Sequence, residues 1–133
     1  MKKILLAPAI ALFSMVAGCI KDPADLAYNP LDDPSLELFT VNNVKFESMG
    51  AYRDLQVFYS TIYNQLTENQ KNRIMVFVIF RNGFEKYHLT NLEGTWFKDP
   101  SHLVGTQVCY EFEFALTDGK RSRRSSKQCV TIE

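Results

Sequence analysis

The chain has 133 residues and is formally neutral, because 15 lysines and arginines balance 15 aspartates and glutamates. That balance argues against a nucleic-acid-binding protein, which would carry a net basic surface. With two histidines and no Cys-x-x-Cys pair, the sequence gives no support for a metal site, and we expect neither a metal nor a soluble cofactor.

The N-terminus has the pattern of an export signal. Two lysines precede the apolar run Ile4–Val16, and the tetrapeptide Val-Ala-Gly-Cys at residues 16–19 closes it. The run is too short to span a bilayer as a mature helix, so it predicts a signal that is removed. This segment resembles the signal of bacterial lipoproteins, whose four-residue lipobox it matches, which implies a signal peptide over residues 1–18 and a Cys19 carrying diacylglyceryl and N-acyl chains such as palmitate. The alternative is an ordinary secretory signal cleaved near Ala17.

Residues 19–36 are predicted to form a flexible acidic tether after the acylated cysteine. From residue 20 onward they hold three prolines, four aspartates and few bulky apolar groups. At about 3.3 Å per residue, this segment could extend roughly 50 Å from a membrane. Ile20 follows the cysteine directly, unlike the aspartate that retains many lipoproteins in the inner membrane. The resemblance therefore implies the outer membrane, and it leaves open whether the periplasmic or the surface face carries the protein.

Residues 37–133 are predicted to form one all-β domain, because short β-rich runs alternate with turn signals, and neither helical periodicity nor a convincing N-cap followed by an amphipathic run is present. Asn82-Gly83 and Asp118-Gly119 mark tight turns, and residues 67–72 form a polar loop. Seven short strands favour a two-sheet antiparallel sandwich. The predicted strands are residues 36–47, 54–63, 74–81, 84–89, 95–97, 108–116 and 126–132.

Four segments carry a family resemblance, namely VFVIFRNG at 76–83, TWFKD at 95–99, GTQVCYEFEFALTDGKRSRRSS at 105–126 and CVTI at 129–132. Their order and spacing resemble a fibronectin type III domain. In that family the third strand often ends in an aromatic-Arg-Asn-Gly turn, and the last hairpin carries Gly-x-x-Ser-x-x-Ser, here at 119, 122 and 125. The resemblance implies a seven-stranded immunoglobulin-like sandwich from about Phe39 to Glu133. The second strand departs from it by lacking the usual tryptophan.

Cys109 and Cys129 are an even pair in a chain predicted to be exported, which favours a disulfide. If the last hairpin turns about Gly119, the two cysteines lie directly opposite each other. Opposed residues in an antiparallel pair are about 4.5–5.5 Å apart, which is within disulfide reach. The alternative is a pair of reduced thiols.

Basic residues at the end of the last hairpin are a first candidate surface for partner or membrane binding. They could contact lipid headgroups or an acidic protein, and the alternative is an ordinary soluble hairpin tip. The residues are Lys120, Arg121, Arg123, Arg124 and Lys127.

The third predicted strand is a second candidate surface, because it is apolar on both of its faces. If Met75, Phe77 and Ile79 face the core, an apolar stripe points outward, and such a stripe often marks a docking site. The alternative is that the tether or a folded-back loop covers the stripe through Leu31, Leu36 or Phe39. The outward residues are Ile74, Val76, Val78 and Phe80.

The sequence contains no hydrolase elbow and no phosphate-binding glycine loop, and we expect Glu111 and Glu113 to solvate the outer face of the sandwich. We expect Trp96 and Phe97 to pack in the core rather than to stack on a sugar. The sequence therefore predicts a non-catalytic outer-membrane lipoprotein that is an accessory or protein-interaction subunit of an envelope complex. The alternative is a glycan-binding surface lipoprotein.

Overall fold

The computed structural model describes residues 29–133, which form two facing antiparallel sheets. One sheet has the order β1 (Phe39–Met49), β2 (Tyr52–Thr61) and β5 (Trp96–Leu103). The other has the order β4 (Phe84–Leu89), β3 (Ile74–Arg81), β6 (Gln107–Leu116) and β7 (Gln128–Thr131). The arrangement confirms the predicted all-β, immunoglobulin-like sandwich of the fibronectin type III kind.

The core lies between the sheets and is built from residues that alternate along each strand. Leu55 and Val57 on β2 are buried, as are all four aromatic and aliphatic residues at the even positions 108–114 of β6. Phe39 stacks on Phe112 with ring centroids 4.8 Å apart, and Phe77 meets the Phe112 ring edge-on at 5.2 Å. Burial of each such side chain contributes about 1.5–3 kcal/mol, so this aromatic layer holds the sheets together.

Two elements differ from the sequence prediction. β5 continues past the predicted residues 95–97 to Leu103, although Pro100 lies within it. Proline is tolerated there because β5 is an edge strand, and Ser101 has a positive φ of 68° beside a shift in register. The polar loop predicted at 67–72 contains a one-turn helix, α1 (Glu68–Lys71).

An N-cap precedes α1, but the four polar residues after it do not form the amphipathic run that the sequence was expected to lack. The Thr67 hydroxyl accepts a hydrogen bond from the Gln70 amide at 3.3 Å, and the Gln70 side chain accepts one from the Thr67 amide at 2.9 Å. This reciprocal pair is a capping box. The helix is polar on all sides, so it lacks the apolar periodicity by which helices are predicted.

A bulge at the start of β3 reverses two predicted orientations. The pairing of β3 with β6 shifts between Ile74 and Val76. As a result Ile74 is buried with 5% of its surface exposed, whereas Met75 is 56% exposed. The prediction that Met75 faces the core and Ile74 faces outward is therefore wrong, because the bulge changes the side of the sheet to which each residue points.

The last part of the predicted tether packs on the sandwich. A 3₁₀ turn at Pro30–Asp32 is capped by Asn29, and Leu31 is buried in the main core. The Arg123 guanidinium donates to the carbonyl oxygen of Asp33 at 2.5 Å and also to that of Leu36. The packed domain thus includes residues 29–36, which were predicted to be tether, while residues 1–28, with the predicted signal and Cys19, lie outside the described residues.

The predicted pairing of β6 with β7 is confirmed. Cys109 lies opposite Cys129 with Cα atoms 4.0 Å apart, and a disulfide joins them. Their neighbours Gln107 and Thr131 are also directly opposed, which is the register expected for a hairpin centred on Gly119. The bridge therefore links the edge strand β7 to the central strand β6.

Between the turn at Gly119 and β7, two serines continue the pairing with β6. The Ser122 hydroxyl accepts a hydrogen bond from the Phe114 amide at 2.8 Å, and the Ser125 hydroxyl accepts one from the Phe112 amide at 2.9 Å. The backbone amides of both serines donate in return to the carbonyl oxygens of the same two phenylalanines. The hydroxyls thus replace carbonyl groups of a regular strand, which is the structural role of the Gly-x-x-Ser-x-x-Ser motif.

We expect Ser122→Ala to lower the free energy of unfolding by about 1–3 kcal/mol, because the buried Phe114 amide would lose its acceptor. Urea denaturation of the purified domain would measure this loss. Ser48→Ala on the exposed part of β1 is the matched control and should change stability by less than about 0.5 kcal/mol. Equal stability of the two variants would contradict the structural role of the hydroxyl.

Candidate functional site

Asp99 on β5 is the one acidic or basic residue among the buried side chains of residues 29–133. It accepts hydrogen bonds from Arg81 at 2.6 Å, from Tyr87 at 2.5 Å and from Tyr110 at 2.6 Å. The Nε2 atom of His102 lies 2.8 Å from the carboxylate without the alignment of a hydrogen bond. The three donors come from β3, β4 and β6, so Asp99 binds the opposite sheet.

The Asp99 cluster favours a structural role over a chemical one. The carboxylate is completely buried, so a substrate cannot reach it in this conformation. Burial, reinforced by the hydrogen bond to Asp99, raises the pKa of Tyr87 and of Tyr110 above the ordinary tyrosine value. Both tyrosines therefore stay protonated and act as hydrogen-bond donors. Asp99 was not predicted as a site residue, because the predicted fifth strand ends at residue 97, although the alternation of Trp96, Phe97 and Lys98 places Asp99 on the inward side.

We expect Asp99→Asn to lower the free energy of unfolding by about 3 kcal/mol, because the guanidinium of Arg81 would lose its counter-charge in a partly buried position. Thermal and urea unfolding would measure the loss. Glu93→Gln, which neutralises an exposed acid, should leave stability within about 0.5 kcal/mol of the parent. An unchanged midpoint for Asp99→Asn would show that the ion pair contributes nothing net.

The predicted apolar stripe on β3 is not exposed. Val78 and Phe80 are buried and Val76 is partly buried, and together with Ala115 they form a small second cluster on the outer face of the four-stranded sheet. The guanidinium of Arg124 lies 3.7 Å from the centroid of the Phe80 ring and covers it. The expectation that these residues form an exposed apolar stripe is therefore wrong.

Of the three residues expected as alternative cover for that stripe, Leu31 and Phe39 belong instead to the main core between the sheets, and Leu36 is in neither cluster. Arg124, from the segment before β7, covers the Phe80 ring of the outer cluster instead. A guanidinium group stacked on an aromatic face shields that face from water, so the Phe80 ring is covered within the domain.

Three of the five basic residues predicted at the hairpin tip have partners within the domain. Arg121 and Arg124 both pair with Glu113, at 3.5 and 3.2 Å, and Arg123 holds residues 33 and 36. Lys120 and Lys127 are exposed and have no ion pair within the part of the chain that the structure describes. The serine pairing with β6 draws residues 120–126 along the sheet, so they do not project as a tip.

Trp96 lies on the outer face of the three-stranded sheet and is 50% exposed, so the expectation that it packs in the core is wrong. Phe97, the next residue, is buried as predicted. Trp96 is directly opposite Phe58 on β2, and a depression of about 410 Å³ lies beside it. The amide of Ser101 and then the ammonium of Lys98 hold the pKa of Asp54, which lines the same depression, below its usual range.

A second exposed apolar group lies at the end of the sandwich formed by the β1–β2, β3–β4 and β5–β6 turns, here called the distal pole. Tyr52 pairs with Leu103, and the Val104 amide donates to the carbonyl oxygen of Ala51 at 3.3 Å. Across the described residues, seven large hydrophobic side chains are exposed, and five of them lie at this pole. These five are Met49, Tyr52, Phe84, Leu103 and Val104.

The opposite end, the proximal pole, holds residues 29–36, the β2–β3 connection and the turn after β6. The Thr117 amide donates to the carbonyl oxygen of Arg73 at 2.9 Å, and Leu31 and Leu116 line one small cavity there. β1 runs from this pole to the distal pole over 11 residues, a length of roughly 33 Å. The N-terminal side of the domain and the exposed apolar group are thus at opposite ends.

Over residues 29–133, no helix is long and apolar enough to cross a membrane, and no group of three potential ligands forms a metal site. No model of a known protein family matches the sequence, and no curated protein matches it. Function is therefore inferred from the two exposed apolar surfaces and their surroundings.

Proposed function

We propose that this protein is a non-catalytic lipoprotein of the outer membrane that binds an envelope protein through its distal pole. The observation that carries the proposal is the concentration of exposed apolar side chains at that pole. An apolar group of this kind is costly to leave in water and commonly marks a site of protein association.

The composition of the distal pole fits a protein partner. Tyrosine, phenylalanine and methionine are enriched at the centres of protein interfaces, and Tyr52, Phe84 and Met49 are all exposed here. The five exposed side chains of this pole, with Leu103 and Val104 included, project from three separate turns, whereas small-molecule sites are concave. A partner surface that covered all three turns would bury them together.

The position of the distal pole fits an anchored protein. A lipid on Cys19 would tether the chain from the proximal side, where residue 29 joins the sandwich. The distal pole would then point away from the bilayer, at the far end of β1, and would be accessible to a second envelope protein. Membrane attachment and partner binding would use opposite ends of the domain.

The lipid anchor is tested by Cys19→Ser. We expect the parent to fractionate with outer membranes and the variant to lose that attachment, because a serine cannot receive the thioether-linked diacylglyceryl group. Intact mass of the purified parent should show the added acyl chains and an N-terminus at residue 19. A parent of unmodified mass, cleaved near Ala17, would contradict the anchor and favour the ordinary secretory signal.

Partner binding is tested by photo-crosslinking in intact cells, with a photoreactive phenylalanine derivative in place of Leu103. We expect one discrete protein adduct from position 103 and none from position 75, since Met75 is equally exposed but lies near the proximal pole. Tyr52→Ser should lower the yield of this adduct about tenfold or more, as expected for an interface hot spot.

The crosslinked products also distinguish the possible occupants. An adduct with the mass of two copies of this chain would assign the pole to self-association. Equal adducts from positions 75 and 103, or none from either, would contradict a specific distal contact.

A further inference from the structure

On the outer face of the three-stranded sheet, which points away from the core, side chains are arranged in rows across the strands. Direct pairing places Lys45, Gln56 and Lys98 in one row across β1, β2 and β5. The next row places Phe58 beside Trp96. Since directly opposed residues share a face, an aromatic row and a polar row lie next to each other on this surface.

The aromatic row is accessible from solvent. The second sheet covers the inner face of β5, where Phe97 is buried, and nothing in the described chain covers half of the Trp96 surface. Lys45 places its ammonium nitrogen 5.1 Å from the centroid of the Phe58 ring, which leaves Trp96 as the open ring of the pair. The volume of the adjacent depression, about 410 Å³, is within the range of small-ligand sites.

The polar row supplies donors and acceptors beside the open ring. Lys98 and Asp54 form an ion pair at 3.2 Å, and the other oxygen of Asp54 accepts from the Ser101 amide at 3.0 Å. These contacts hold the carboxylate in place, while Gln56 adds an amide that can both donate and accept. Fixed polar groups next to an aromatic face are suited to a ligand that has one apolar face and hydroxyl groups at its edge.

The charges of this face indicate a neutral ligand. Lys45 and Lys98 are balanced by Glu47 and Asp54, all of which line the depression. A site for phosphate, sulfate or nucleic acid would have an excess of positive charge. Balanced and partly paired charges favour hydroxyl groups, which bind to carboxylate, ammonium and amide groups alike.

We propose that this face binds a neutral saccharide, with a sugar ring stacked on Trp96 and its hydroxyl groups held by Asp54, Gln56 and Lys98. The site is independent of the distal pole, because it lies on a sheet face and shares no residue with the exposed turns. The protein would thus bind a glycan on one side and a protein at its far end.

Trp96 is the single tryptophan of the chain, so its fluorescence reports directly on this site. The probes are cellohexaose and chitohexaose, titrated into the exported protein up to about 10 mM, a concentration that would nearly saturate a site with a Kd of about 1 mM. We expect a saturable change in emission with at least one of the two. Calorimetry on the same samples should give the same Kd.

Variants separate the site from general surface effects. Calorimetry with Trp96→Ala should show at least a tenfold loss of affinity, and Gln56→Ala a loss of several-fold. Met75→Ala is the matched control, because Met75 is a similarly exposed apolar residue on β3 of the other sheet, and it should leave the affinity within about twofold. Unchanged thermal unfolding of each variant would show that the fold is intact.

Three results would overturn the proposal. The first is the absence of a saturable signal with either neutral hexasaccharide. The second is the same affinity in Trp96→Ala as in the parent protein. The third is tighter binding of a polygalacturonate hexamer than of the neutral probes, which would assign the face to acidic polymers instead.

Discussion

The buried carboxylate of Asp99 is the interaction on which the arrangement of the two sheets depends. An ionised acid cannot remain in an apolar interior unless its charge is balanced and its oxygens are hydrogen-bonded. Donors from β3, β4 and β6 meet this requirement, so the position of β5 is tied to three strands of the opposite sheet. The aromatic core supplies most of the burial, but it is non-directional. The Asp99 cluster adds directional contacts, which hold Asp99 on the inward side of β5 while Trp96 and Lys98 lie on its outward side.

The proximal end of the domain is organised by different chemistry. There, neutral hydroxyl groups of Ser122 and Ser125 complete the pairing with β6, and the guanidinium of Arg123 binds backbone carbonyl groups of residues 33 and 36. Both ends therefore use specific polar contacts around a common apolar centre. Arg121 and Arg124 pair with Glu113, so all three arginines of the basic segment have internal partners, while Lys120 and Lys127 stay exposed.

Much of the fold could be predicted from the sequence, and the features that were predicted wrongly have physical causes. The bounds of β3 and β4 and the opposed cysteines followed from local pattern, since two-fold alternation and turn residues act over a few positions. The bulge at Ile74 did not, because it depends on the register that β6 imposes. The binding surfaces were harder, because exposure of Trp96 or cover of Phe80 by Arg124 is set by neighbours distant in sequence. Periodicity identifies which residues share a face, but tertiary contacts decide which face meets water.

The hydrogen bonds from Arg123 to the carbonyl groups of residues 33 and 36 would shorten the tether of a membrane-attached form. With the chain held from residue 29, the segment between an anchor at Cys19 and the domain shortens to nine residues, which span at most roughly 30 Å. That length is comparable to the length of β1, so the tether would limit how far the domain could move from the bilayer. Partners would have to come within that distance, and a pulling force on the anchor would be borne first by the packing of Leu31 in the core and only then by the contacts of Arg123.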